Sequence, residues 1–520
     1  MWHYSEIKSL GDIPRHYART RPNSPALIDA YGPVSFAELD ARSNRVANVL
    51  AESGVVYGDR VAFLGKNSTR YFETLFGANK IGAALLPLNW RLAPPELTEI
   101  LRDAGPSVVV ADREYEEAAR SVAKASGHKV AVLVYDSSNP GVSQLDELLR
   151  DASSVDPASV IDPWQTAVLM YTSGTTGKPK GVQLSHQGYL YLRLCEHLET
   201  SFRYESGDVM LTVMPLFHAM GTGLSLQALY SGAAIAVYSM PDPGELMRLI
   251  ARDRPTVLPL VPTVIQMLLD HPDAASADYS SVRIVVYAGS SIGAHLLKRA
   301  MVEMKCQFMQ FYGATETGAG VTFLRPAQHR LDDEEKLKSC GSPLPLIELK
   351  VADADGHELP DGQVGEFLIR SPSLTTGYFR QPELTAAAFR DGWYRSGDGG
   401  YRDADGLFYM VDRVKDMIVS GGENVYSTEV EQAVQKLGGV RLCAVIGLPD
   451  DKWGERVVAV IICEPAVPVS KEQIVAHCRK LIAGYKVPKQ IEFVDALPMT
   501  PSGKVMKRLL QEQFLKTIAA

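Results

Sequence analysis

Short apolar runs alternate with helical patterns along most of this chain, and that alternation is the strongest constraint on its fold. "RVAFLG" (residues 60–65) reads as a buried strand, and "RYFETLFGANKIG" after it as a helix. The rhythm continues through the strand patterns "ALLPLN", "PSVVVA", "KVAVLVY", "AAIAVYS", "TVLPLV" and "RIVVYAG". Residues 34–55 have helical apolar spacing, ended by Gly54. Strands that alternate with helices predict α/β layers around largely parallel sheets. With 520 residues, 46% of them hydrophobic, the chain can bury more than one large core.

The texture changes after about Gly341. "GEFLIRSPSLTTGYF" and "DGWYRSGDGGYRDADGLFYMVDR" are short, turn-punctuated runs that read as antiparallel β structure. A small α+β unit follows Asp412: the helix "STEVEQAVQKLGG", a hairpin over residues 440–463, and the helix "SKEQIVAHCRKLIAG". The expected division is therefore 1–412, a large α/β domain with a β-rich subdomain, and 413–520, a small α+β domain.

A net charge of -8 argues against nucleic acid as the main partner. The six cysteines have neither disulfide-framework nor zinc-ligand spacing, and the first residues lack a secretory-signal pattern, so a cytoplasmic protein is expected. Residues 211–240 contain no Asp, Glu, Lys or Arg, yet Pro215, Gly221, Gly223 and Gly232 interrupt them. They read as buried core beside an apolar pocket rather than as a membrane span. The C-terminal "KVMKRLLQEQFLKTIAA" reads as an ordinary amphipathic helix, with a weak peripheral membrane contact left open.

Chemistry concentrates first in "YTSGTTGKPKG" (residues 171–181), which follows the strand pattern "TAVLMYTS" and precedes the helix pattern "SHQGYLYLRLCEHL". Glycines let successive N–H groups converge on an anion, hydroxyls add donors, and Lys178 and Lys180 add charge. A nucleotide triphosphate suits such a loop. It is not a Walker A sequence, because Pro179 follows Lys178.

The loop resembles the signature of the adenylate-forming superfamily. The resemblance continues in order through "FYGATETG" (311–318), "YRSGDGGY" (394–401), "DRVKDMIVSGGENVYSTEVE" (412–431) and "PMTPSGKVMKR" (498–508). It implies an AMP-forming acyl-CoA synthetase that uses ATP, Mg²⁺ and CoA. Thr172, Ser173, Gly174, Thr175, Thr176, Gly177 and Lys178 would hold the phosphates. Gly289, Ser290, Ser291, Tyr312 and Gly313 would surround adenine, and Asp398 and Arg413 the ribose. Thr315 would bind the α-phosphate and Glu316 would help hold the metal. Lys504 would be the catalytic lysine, and His218 would sit near the acyl carboxylate or the thiol channel. Asp412 would be the hinge of a mobile C-terminal domain that presents Ser420, Gly421, Gly422 and Glu423 to CoA.

The resemblance leaves the acid open. A medium- or long-chain fatty acid ranks first, with aryl or polycyclic, steroid-like acids as alternatives. The pocket is expected among "HAMGTG", "VPTVIQM", "YAGSS" and "FYGATE", where Gly221 and Gly313 could open a tunnel. A carrier protein in place of CoA, a nucleotide-binding module without catalysis, and a homo-oligomer are further readings. "YAGSSIGAH" (287–295) also contains G-x-S-x-G between a strand and a helix, so a serine hydrolase with Ser291 as nucleophile is the rival class.

Overall fold

The computed structural model describes residues 6–173, 179–239, 241–290, 292–318, 320–413, 416–420, 423–450, 453–464, 467–499 and 505–519. For residues 173, 413, 424 and 517–519 it describes the backbone only. The chain divides into two compact units, Met1–Glu348 with Arg370–Tyr394, and Leu349–Ile369 with Arg395–Ala520. The stretches 349–369 and 395–412 thus pack with the C-terminal part of the chain.

Two sheets organise the first unit. One runs in the order Ala131–Tyr135, Val108–Asp112, Arg60–Leu64, Ala84–Pro87, Thr166–Ser173, Pro179–Ser185. Its first five strands are parallel, and the last pair is an antiparallel hairpin. The nine-stranded sheet runs Ser342–Pro343, Gly320–Leu324, Gln307–Gly313, Ile284–Ala288, Val257–Leu260, Val209–Thr212, Ala234–Val237, Pro25–Asp29, Gly32–Ser35. It is parallel in the middle and antiparallel at both edges. Strands such as Val108–Asp112 and Ala234–Val237 are buried along their whole length. Layers on both faces explain why they read as unbroken apolar runs rather than as alternating ones.

Every strand predicted up to Ala288 forms. The pattern at 34–55 divides, because Val34 belongs to the edge strand Gly32–Ser35 and the helix is Phe36–Glu52. Ser35 marks the change: its hydroxyl accepts from the Glu38 N–H at 3.2 Å, and Glu38 accepts from the Ser35 N–H at 2.8 Å. The uncharged stretch 211–240 resolves into two core strands and the buried helix Ala219–Tyr230. No helix of the described residues is long and apolar enough to cross a membrane.

Strands Glu348–Ala352, Gly365–Arg370, Trp393–Arg402 and Phe408–Arg413, most of whose residues belong to the second unit, form a sheet whose last pair is antiparallel. The other sheet of the second unit is built on the long hairpin Val440–Asp450 and Gly454–Cys463. The side chains of that hairpin alternate with a period of two. Val457, Ala459 and Ile461 pack under the helices Ser427–Gln435 and Lys471–Leu481, and Val458, Val460 and Ile462 meet Leu510 of the helix Lys507–Ala519. The strands Ile418–Ser420, Glu423–Val425 and Gln490–Phe493 extend this sheet, and no sequence pattern predicted them.

Candidate active site

Four neighbouring parallel strands of the first unit end on one edge of the nine-stranded sheet: Val209–Thr212, Val257–Leu260, Ile284–Ala288 and Gln307–Gly313. The chain that follows them carries, in turn, His218, the segment 261–267, Gly289 with Ser290, and Thr315 with Glu316. Segments far apart in sequence therefore emerge in one row at the carboxyl ends of the strands, where open α/β sheets bind ligands.

Gly289 leaves its strand at φ +88°, a backbone that only glycine adopts without strain, and Ser290 beside it is exposed. Ser291 lies outside the described residues. Tyr312 is buried opposite Thr322, and Gly313 is exposed opposite Gly320. A single turn, Thr315–Thr317, follows. Thr317 holds it by accepting from the Ala314 N–H at 3.0 Å and donating to the Ala314 carbonyl at 2.8 Å.

Glu316 is gripped twice by a segment that sequence reasoning passed over as plain β texture. Its carbonyl accepts from the Thr375 N–H at 2.7 Å, and its Oε1 accepts from the Tyr378 hydroxyl at 3.0 Å. Burial, then the charge of Glu316, raises the Tyr378 pKa, so the phenol keeps its proton and donates. A Thr-Thr-Gly-Tyr sequence carries no local signal for this role, because the partner stands sixty-two positions earlier.

The hairpin Thr166–Ser173 and Pro179–Ser185 brings the two ends of the expected phosphate loop together, with Thr172 opposite Lys180 and Ser173 opposite Pro179. Gly174, Thr175, Thr176, Gly177 and Lys178 lie outside the described residues. The foot of the hairpin is braced: the Tyr171 hydroxyl donates to Asp103, and the Phe379 N–H donates to the Gly181 carbonyl at 2.7 Å.

His218 is half-buried at the start of the helix Ala219–Tyr230, its ring 4.6 Å from that of Phe217. Gly221 is needed for packing. A Cβ there would stand 2.3 Å from the Pro215 carbonyl oxygen. Beside it, Met210, Leu211, Thr212, Met214, Met220, Leu224 and Pro259 pack around an apolar crevice too narrow to admit a water molecule. No charged side chain borders that crevice.

In the second unit the register sets Asp398 directly opposite Arg413. Asp398 is buried in a strand rather than exposed in a turn, and its N–H donates to the Ser396 hydroxyl at 3.0 Å. Gly397, at φ +71°, donates its N–H to Glu366 at 3.0 Å. Asp412 is buried, and its Oδ2 accepts from the Ser427 N–H at 2.6 Å and the Thr428 N–H at 3.3 Å. It thereby caps the helix Ser427–Gln435 from outside. Lys507 donates to the Ser427 hydroxyl and pairs with half-buried Glu431 at 2.8 Å. Burial alone would lower the Lys507 pKa, but the charges of Glu431 and Asp412 outweigh it and raise it. Ser420 pairs with Glu423 across a short hairpin. Gly421, Gly422, Lys504 and the Arg413 side chain lie outside the described residues.

The donor set at Thr315 and Glu316, a hydroxyl and a carboxylate with no thiol or imidazole, fits a hard cation such as Mg²⁺ that takes its remaining ligands from phosphate and water.

Known proteins are similar to this chain over most of its length. The family profile described as AMP-binding enzyme matches residues 14–379, and the profile for the AMP-binding enzyme C-terminal domain matches 429–504. A feruloyl-CoA synthase of Amycolatopsis sp. is 37% identical over 98% of this chain and 99% of its own. Long-chain-fatty-acid–CoA ligase FadD13 of Mycobacterium tuberculosis is 34% identical over 98% of this chain and all of its own. Among solved structures, the anthranilate CoA ligase AuaEII in complex with anthranoyl-AMP aligns with a TM-score of 0.89 at 28% identity, over 98% of both chains.

Proposed function

We propose a mechanism and a substrate class from one premise: this chain belongs to the AMP-binding enzyme family and is an AMP-forming acid–thiol ligase acting on a small-molecule carboxylic acid, ATP and CoA. Membership sets aside the serine hydrolase and the catalytically silent module.

In the first half-reaction a carboxylate oxygen attacks the α-phosphorus, the bond to diphosphate breaks, and acyl-AMP forms. Two anions must meet, so the protein's task is to neutralise charge and align the reactants. The loop from Thr172 to Lys178 would hold the β- and γ-phosphates, and Thr315 the α-phosphate. Mg²⁺, held by Glu316, would neutralise phosphate charge. Lys504 would bridge the two oxyanions as they approach. Tyr312, with Gly289, Ser290 and Ser291, would hold adenine, and Asp398 and Arg413 the ribose hydroxyls. The row of segments at the strand ends supports these roles, together with the Asp398–Arg413 register.

In the second half-reaction the CoA thiolate attacks the acyl carbonyl and AMP leaves. Here the C-terminal part, residues 413–520, would turn about Asp412 and present Ser420, Gly421, Gly422 and Glu423 to the pantetheine arm, with His218 near the thiol. The family profiles fall on either side of that boundary. The cytoplasm, where ATP and CoA are at hand, is the proposed compartment, and all six cysteines are free thiols.

The acid we propose is a medium- or long-chain fatty acid. The observation that carries this reading is the uncharged, methionine-rich packing around Gly221, which is closed in this structure but flexible enough in its side chains to part for an acyl tail, and offers that tail no ionic partner. An aryl acid is the second reading, favoured by the relative named feruloyl-CoA synthase. CoA-dependent AMP release, measured across octanoate, palmitate, ferulate and indoleacetate, separates them. Turnover fastest with octanoate or palmitate is expected; preference for ferulate would reverse the ranking.

A further inference from the structure

We infer that Tyr378 is a positioning residue for adenylation, tying the carboxylate of Glu316 to Lys180 at the foot of the phosphate loop. The inference rests on the proposed role of Glu316 as the metal carboxylate.

Three observations in the first unit carry it. The Tyr378 hydroxyl donates to Glu316 Oε1 at 3.0 Å, and the Lys180 ammonium stands 5.1 Å above the ring of the same tyrosine. One rigid side chain therefore touches both halves of the expected triphosphate site, through its edge and through its face. The backbone around it is stitched to the same two places. Tyr378 forms a β-bridge with Val182, the Gln183 N–H donates to the Gly377 carbonyl at 3.1 Å, and the Thr375 N–H donates to the Glu316 carbonyl at 2.7 Å.

Tyr17 and Tyr71 of this unit direct their hydroxyls at main-chain carbonyls, those of Tyr230 and Leu216. Tyr378 instead aims at a carboxylate that must point at a ligand. A glutamate reaches its ligand through three rotatable bonds, and a fixed donor on one oxygen narrows the angles at which the other can be offered. Phenylalanine would fill the same space and keep a ring face for Lys180, but it would release the carboxylate.

Tyr378→Phe, Glu316→Gln and the double variant test this with three readouts. These are the Mg²⁺ concentration that half-saturates acyl-AMP formation, the rise in Tm that Mg²⁺ adds to ATP, and thioester formation from supplied acyl-AMP. Tyr378→Phe is expected to melt as the unmodified protein does without ligand, and to need about tenfold more Mg²⁺ for adenylation. It should also lose most of the Mg²⁺-dependent rise in Tm, while thioester formation stays unchanged. The double variant should be no worse than Glu316→Gln alone, because once the metal carboxylate is gone Tyr378 has nothing left to position for the cation. An unchanged Mg²⁺ titration for Tyr378→Phe beside a shifted one for Glu316→Gln overturns the inference and spares the role of Glu316. If neither variant shifts it, both fall. Additive losses in the double variant would also overturn it, since independent losses mark a packing role only.

Discussion

His186 and His329 show how burial settles the chemistry of single residues here. His186, fully buried at the head of the helix His186–Leu198, accepts from the Leu10 N–H through Nδ1 at 3.1 Å, and burial holds its pKa down at about 4. His329 is held equally low by burial. Its Nδ1 faces the Arg325 carbonyl at 2.9 Å, which puts the ring proton there and leaves Nε2 to accept from Tyr287 at 3.0 Å. Both rings are neutral in the folded protein. As pH falls below the ordinary histidine value the unfolded chain takes up protons that the folded one refuses. The stability contributed by the neutral rings is thus complete above pH ~6.5 and is lost progressively down to pH ~4. The loss is roughly 3 kcal/mol per ring over that window. His186→Asn keeps an acceptor for Leu10 and removes the titration. Urea unfolding at pH 7 and pH 4.5 should show a smaller acid penalty for the variant. Equal penalties would rule the account out.

At the scale of elements, local signals and distant partners divide the work. The helices Phe36–Glu52 and Lys471–Leu481 carry their own capping boxes, Ser35 with Glu38 and Ser470 with Gln473, so the signals for their starts are local, although apolar spacing alone set the first start early, at Val34. The helix Ser427–Gln435 has no cap of its own. Asp412 reaches it across fifteen positions, and only the fold provides that partner. Asp412→Ala should destabilise the protein by about 1–2 kcal/mol through the lost cap, whereas Asp412→Asn should recover most of it. Chemical denaturation checks this, and equal stability of Ala and Asn variants would count against the cap. The hairpin Val440–Asp450 and Gly454–Cys463 was legible because both faces are apolar and its turn is polar. The strand Pro179–Ser185 was not, because the alternation in "GVQLS" is too short to mark a strand alone. It exists because Thr166–Ser173 offers a ladder to pair with.

For the whole molecule, the proposed division of labour separates two half-reactions. If Lys504 serves adenylation alone, Lys504→Ala should slow acyl-AMP formation by about 10²-fold or more, while acyl-AMP supplied from outside still reacts with CoA at the normal rate. Pyrophosphate exchange and thioester formation, measured separately, decide it, and equal losses in both would contradict the proposal. Five ordered motifs and the strand–helix rhythm were enough, without coordinates, to identify the family and the α/β fold class, and to nominate the residues proposed for the site. That is because phosphate binding, parallel strands and hairpins leave short-range patterns of glycine, hydroxyl and apolar spacing. What tertiary structure alone decided is which of these residues meet. Tyr378 with Glu316, Asp412 with Ser427 and Asp398 with Arg413 are contacts between segments that no local spacing relates. They follow from sheet order and register, and these are set by the burial of whole faces rather than by any one stretch of sequence.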